Sequence, residues 1–169
     1  MAILINKNTT FLIQGITGRH GQLTCKEMLT AGAKVIAGVT PGKGGQLVED
    51  IPVYNTIKEA KENSANIDAT IILVPPKSAK DAIIEAINQE IPLINIVTEN
   101  IPIHDFAYCL ALARNKNVKI IGPTSAGIYS VGKSKCGLIA SKKSNVAYSP
   151  GKIGVVSRSG GMSSETSLV

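Results

Sequence analysis

The chain has 169 residues, 44% of them hydrophobic and 18% charged, a balance that excludes a disordered or collagen-like polypeptide and is enough for a well-filled core. Eighteen basic against twelve acidic residues leave a net charge of +6, but two Phe and four Tyr, with no RNP-like signature, offer nucleic acid few stacking platforms, and a phosphate-rich small anion accounts for the charge at least as well. The longest apolar stretches, 69–76 and 91–97, fall short of the roughly 20 residues that a membrane span takes, and the start Met1-Ala2-Ile3-Leu4-Ile5 lacks the charged leader of a signal peptide, so a cytoplasmic protein without a membrane partner is expected.

The first apolar run, Phe11–Ile13, passes through Gln14-Gly15-Ile16-Thr17-Gly18-Arg19-His20-Gly21 into helical spacing over Leu23–Thr30. Glycines at a strand-to-helix turn permit a tight bend and let a phosphate approach N–H groups at the positive end of a helix. The spacing is GxxGxxG rather than the GxGxxG of dinucleotide enzymes, so a turn that merely packs helix on strand stays open as the plainer reading. The second run, Val35–Val39, continues into Thr40-Pro41-Gly42-Lys43-Gly44-Gly45. An NAD site would offer Asp or Glu here to the ribose hydroxyls; a lysine between glycines suits a ribose phosphate instead, as in NADP or coenzyme A, with a solvated turn lysine as the alternative.

Helical spacing over Ile57–Glu62, a strand at Thr70–Val74 and a helix over Ala79–Ile87 precede the run Leu93–Val97, which ends in Val97-Thr98-Glu99-Asn100-Ile101-Pro102. A hydroxyl and a carboxylate thus share one sheet edge, where they suit an extended ligand arm; Glu99 reads equally as a charge favouring a helix dipole. A helix over Phe106–Ala113 and a strand at Val118–Ile121 lead into Gly122-Pro123-Thr124-Ser125-Ala126-Gly127. The lysine-bearing segment 129–150 reads as an excursion or hairpin. Ile153–Val156 is expected as the last strand, entering Ser157-Arg158-Ser159-Gly160-Gly161, a second candidate anion cradle or an ordinary Ser N-cap.

This alternation predicts an α/β fold with a Rossmann-like, doubly wound, mainly parallel sheet, its strands buried on both faces and its ligand crevice at the carboxyl edge. Residues 1–125 are expected to form that domain, and 126–169 a linker or hairpin and the start of a second domain. Cys25, Cys109 and Cys136 are widely spaced and without CxxC pairing, as expected of reduced structural thiols. His20 and His104, the two histidines, lack metal-ligand company, so no metal is expected; His20, inside the glycine bend, is placed to hydrogen-bond a ligand. No Ser-His-Asp or Cys-His pattern supports nucleophilic catalysis within these residues.

The segments 13–18, 38–45, 97–102, 121–123 and 156–160 together resemble the succinyl-CoA synthetase α-subunit family, in that family's order and over almost the whole chain, with Gly38-Val39-Thr40-Pro41-Gly42-Lys43-Gly44-Gly45 the most specific. The resemblance implies coenzyme A held by Thr17, Gly18, Arg19, His20, Lys43, Val97, Thr98 and Glu99, and Ser159, Gly160 and Gly161 facing a phosphohistidine. It implies an ADP- or GDP-forming acid–thiol ligase that joins succinate to coenzyme A through an acyl phosphate. The phosphorylated histidine would lie in a domain absent from these residues, leaving no catalytic residue here and binding without turnover. Mg and ATP or GTP would be held by a β-subunit partner. Two departures leave the acid open: Thr124-Ser125-Ala126-Gly127 replaces Asn-Cys-Pro-Gly, and Ser164 stands where a substrate-side tyrosine is expected. The stretch from Ser157 to Ser163 is also similar to ATP-citrate lyase and citryl-CoA synthetase. An NADP-linked dehydrogenase domain and a non-catalytic CoA-binding module remain as alternatives.

Overall fold

The computed structural model describes residues 3–64, 66–140 and 148–167. In chain order its elements are β1 (Thr10–Gln14), α1 (Arg19–Thr30), β2 (Lys34–Val39), β3 (Leu47–Val48), β4 (Ile51–Tyr54), α2 (Ile57–Asn63), β5 (Ala69–Ile72), α3 (Pro76–Asn88), β6 (Leu93–Ile96), α4 (Ile103–Asn115), β7 (Lys119–Ile121), β8 (Gly127–Ser130), β9 (Ser134–Gly137) and α5 (Gly160–Thr166). Seven strands form one sheet in the order β3-β4-β2-β1-β5-β6-β7, parallel except for the β3–β4 pair. This is the Rossmann-like, doubly wound arrangement expected from the alternation of apolar runs and helical segments.

Because side chains alternate across a strand, the apolar runs feed two separate cores. Leu12, Ile72, Ile94 and Ile96 meet Ile57, Ala60, Ile83, Ile87 and Cys109 of α2, α3 and α4 on one face. Phe11, Ile13, Ala69, Ile71 and Leu93 meet Cys25 and Met28 of α1 and Cys136 of β9 on the other. The β8–β9 hairpin, a short antiparallel pair, therefore helps cover that second face, and Lys135 of β9 forms a 3.0 Å ion pair with Glu27 of α1. β1 pairs with β2 on one side and β5 on the other, so the chain reverses direction across the sheet at their carboxyl ends. Such a switch point opens a crevice between the loops.

α2 is tied to α3 through Glu85, whose Oε1 accepts a 2.7 Å bond from the Ile57 N–H. Burial pushes this carboxyl above its ordinary value, against the lowering effect of that bond, and the Glu59 charge adds to the rise. A carboxyl raised in the folded state loses stabilisation as pH climbs from its unfolded range through its folded one. Glu85→Gln keeps an acceptor and removes that cost, so melting temperatures taken from pH 4 to pH 7 should show the variant gaining on the parent as pH rises.

The structure departs from the sequence expectation at two places. Ile153–Val156 joins no sheet, and Ile153 is 91% and Val156 103% exposed; apolar, β-branched composition suits a strand but does not by itself seat the segment on the edge of β7. The β3–β4 hairpin was not anticipated, because its two-residue turn, Glu49-Asp50, places both residues at positive φ (50° and 63°) without the Asn or Gly that usually announces such a turn. The hairpin foreseen within 129–150 exists as β8–β9, starting at Gly127; residues 141–147 lie outside the described ones.

All three cysteines are free and buried. Burial drives the Cys25 thiol to about 11, with Glu49 adding to the rise. It drives Cys136 to about 12 despite the opposing effect of the nearby Asn95 amide. Neither has the lowered pKa of a reactive thiol.

Candidate functional site

The glycine bend is built by packing at two of its positions and left open at the third. Gly15, at φ +82°, donates a 2.7 Å bond to the Val39 carbonyl, and a Cβ there would press on the Leu73 backbone at 3.1 Å. Gly21 lies so close to the bend that a side-chain carbon would collide with the Gly15 carbonyl and with Ile16 Cα. The packing reading of these glycines is thus correct for Gly15 and Gly21. Gly18, by contrast, is exposed and stands as the N-cap of α1 with no side-chain cap bond, and the first turn holds no acidic residue. The N–H groups that a helix leaves unsatisfied at its start therefore belong to the turn that carries Arg19 and His20, both exposed. Positive partial charge without an internal acceptor fits an anion.

The second loop stands beside the first. Thr17 Oγ1 donates a 3.2 Å bond to Thr40 Oγ1, which in turn donates to the Val39 carbonyl at 2.9 Å. Thr17 therefore joins the two loops by its hydroxyl, a job its type permits but its spacing did not reveal. Lys43 is exposed and its ammonium makes no ion pair among the described residues, leaving the charge available to a ligand. Its own N–H is fixed by the Thr40 carbonyl at 3.0 Å.

At the end of β6, Val97 is half-buried and donates its N–H to the Ile72 carbonyl at 3.1 Å. Thr98 is buried, and its hydroxyl donates to the Val74 carbonyl at 2.7 Å, which joins β6 to the loop that opens α3. That hydroxyl is committed to the scaffold. Glu99 is exposed in the loop; α4 begins only at Ile103 and carries Asp105 as its first-turn acid, so the helix-dipole reading of Glu99 does not apply. His104 is exposed on the first turn of α4.

At the start of α5 the Ser159 Oγ accepts from the Met162 N–H at 3.2 Å, the ordinary N-cap that the sequence left open. Gly160 and Gly161 are exposed, and a Cβ on Gly160 would touch the Ala126 methyl at 3.0 Å, which sets this helix start against the loop following β7. Ser164 lies within α5, with its side chain outside the described ones. Asn55 and Thr40, which bracket the lysine loop by hydrogen bonds, do not stand out as site residues in the sequence. The one signal for the former was its place just before the Thr56-Ile57-Lys58-Glu59 capping pattern.

Residues 6–100 match the model of the CoA binding domain. The chain belongs to the CoA-binding domain family. Relatives of this CoA-binding domain include the succinate–CoA ligase [ADP-forming] subunit alpha of Aquifex aeolicus, 44% identical over 168 residues, which are 98% of this chain and 53% of that protein. The corresponding subunit alpha 1 of Archaeoglobus fulgidus is 44% identical over 95% of this chain and 53% of its own length. The CoA-binding domain chain spans about half the length of the curated relatives it matches. Its fold superposes with TM-score 0.85 on ATP citrate lyase from Methanothrix soehngenii, solved in complex with citrate and coenzyme A, over 98% of this chain and 29% of that one at 24% identity. Among the described residues no helix is long and apolar enough to cross a membrane.

Proposed function

We propose that this chain is the coenzyme A-binding part of the α subunit of a nucleoside-triphosphate-dependent acid–CoA ligase, acting on succinate. The observation that carries the proposal is the start of α1, without a side-chain cap or a first-turn acid, on a loop bonded through Thr17 and Thr40 to the loop of Lys43, whose ammonium makes no ion pair among the described residues. A pantetheine nucleotide presents anions in two places, a pyrophosphate and a ribose phosphate. The first suits the N–H groups of Arg19 and His20, since that of Gly18 is given to the Gly15 carbonyl, with the His20 ring as a further donor. The second suits Lys43. Val97 and Glu99 line the far side of the carboxyl edge, with Thr98 holding that edge in shape, and there the pantetheine arm would run.

The names of the relatives support the ligase reading. In that reading the phosphohistidine and the nucleotide come from elsewhere in the α/β assembly, with Mg and ATP or GTP held by a β subunit, and the reaction takes place in the cytoplasm. Ser159, Gly160 and Gly161 would face the phosphohistidine through backbone N–H groups, since the Ser159 hydroxyl is already given to the helix cap, and Ser164 would stand on the substrate side. Residues from 126 onward would begin the second domain.

Calorimetric titration separates this from an NADP site. The protein should bind coenzyme A and ignore NADP. Lys43→Ala should weaken coenzyme A about tenfold, the worth of one charge-assisted contact, and leave 3′-dephospho-coenzyme A unaffected. Tight NADP binding, or equal losses for both coenzyme A forms, contradicts the proposal.

A further inference from the structure

We infer that Asn55 is a positioning residue for coenzyme A, acting through Lys43; this rests on the proposed function above. Asn55 Oδ1 accepts two backbone N–H bonds, from Gly42 at 2.9 Å and from Gly44 at 3.1 Å. These are the residues on either side of Lys43. One carbonyl oxygen has two lone pairs, and here both are spent on gripping the lysine from its flanks.

The grip is itself anchored. Pairing of β2 with β4 sets Val39 beside Tyr54, and the Thr40 N–H donates to the Tyr54 carbonyl at 3.0 Å, so the chain reaches residue 55 directly alongside the loop. Asn55 donates its own N–H to Glu59 Oε2 at 2.9 Å, while Glu59 gives its N–H to Thr56 Oγ1 at 3.1 Å. The Asn55 backbone is thus fastened to the first turn of α2 by a variant of the capping box, in which the Glu59 carboxylate takes the N–H one residue before the N-cap Thr56. The amide also fills the space beside Gly44, where any Cβ would strike it.

Two consequences follow for the ligand. The Gly42 and Gly44 N–H groups are turned toward Asn55 and taken out of competition for an anion, so recognition by this loop falls to the lysine ammonium. A lysine whose backbone is already fixed gives up less conformational freedom when it meets a phosphate. Asn55 touches no ligand in this scheme, and its loss should appear wherever Lys43 acts and nowhere else.

The test is a titration of the full chain with coenzyme A and with 3′-dephospho-coenzyme A, for Asn55→Ala, Lys43→Ala and the double variant. Asn55→Ala should weaken coenzyme A about three- to tenfold while sparing the dephospho form. Added to Lys43→Ala it should change coenzyme A affinity by less than about twofold, since the two act as one unit. Gly44→Ala, which drives a methyl group into the Asn55 amide, is an independent route to the same displacement and decides the matter if Asn55→Ala does not fold. Equal losses for both ligands, or additive losses in the double variant, would assign Asn55 a merely structural role and overturn the inference while leaving the ligand assignment intact. A Lys43→Ala variant that fails to distinguish the two ligands overturns the assignment and the inference together.

Discussion

Truncation of Glu27 to alanine is expected to cost about 3–5 kcal/mol of folding stability, more than loss of a surface ion pair ever does. The reason is the burial of its partner: the Lys135 side chain is 4% exposed and that of Glu27 18%, with 3.0 Å between the charges. Removing one charge leaves the other in a poorly solvating interior. Replacing both by apolar side chains of similar volume, as in Glu27→Leu with Lys135→Met, should recover most of the loss, because a buried ion pair and a packed apolar pair are often close in energy. Chemical denaturation of the single and double variants measures the difference. A single variant within about 0.5 kcal/mol of the parent, the range of ordinary surface changes, would show that the β8–β9 hairpin does not rely on this pair for its seat on α1.

Gly21→Ala should be comparably damaging, and its sign is diagnostic. At an unconstrained helical position the change to alanine stabilises by about 1 kcal/mol. At Gly21 the new Cβ points into the Gly15 carbonyl and Ile16 Cα, and neither is the yielding tip of a long side chain. α1 must therefore shift away from the bend or the bend must open, a loss on the order of 4 kcal/mol. The same shift carries the N-terminal N–H groups of α1 away from the crevice, so coenzyme A affinity should fall even at temperatures where the variant is folded. Melting curves and titration on one preparation report both effects.

The fold was legible because its strands are continuous apolar runs, a pattern that buried parallel strands require on both faces and that Phe11–Ile13, Val35–Val39 and Leu93–Val97 display. What escaped depended on partners rather than on the segment itself. Ile153–Val156 has the composition of a strand, but composition states only that such residues favour burial, not that an edge stands ready for them. Glu49-Asp50 makes a hairpin turn in a conformation that its residue types give no notice of. In the site, the glycine bend and Lys43 could be singled out because each directly follows an apolar run, where a parallel sheet places its ligand loops. The role of Asn55 could not, since it arises only when β4 pairs beside β2 and brings residue 55 to a loop more than ten positions earlier. Thr98 illustrates the converse: its position at the sheet edge was readable, but the Val74 carbonyl that takes up its hydroxyl was not.

A structure of the protein with coenzyme A bound tests the central claim most directly. The account predicts the pyrophosphate against the N–H groups at the start of α1 and the ribose phosphate within hydrogen-bond reach of the Lys43 ammonium. Coenzyme A ordered at another surface, with those N–H groups and that ammonium turned to solvent or to a different ligand, would contradict it.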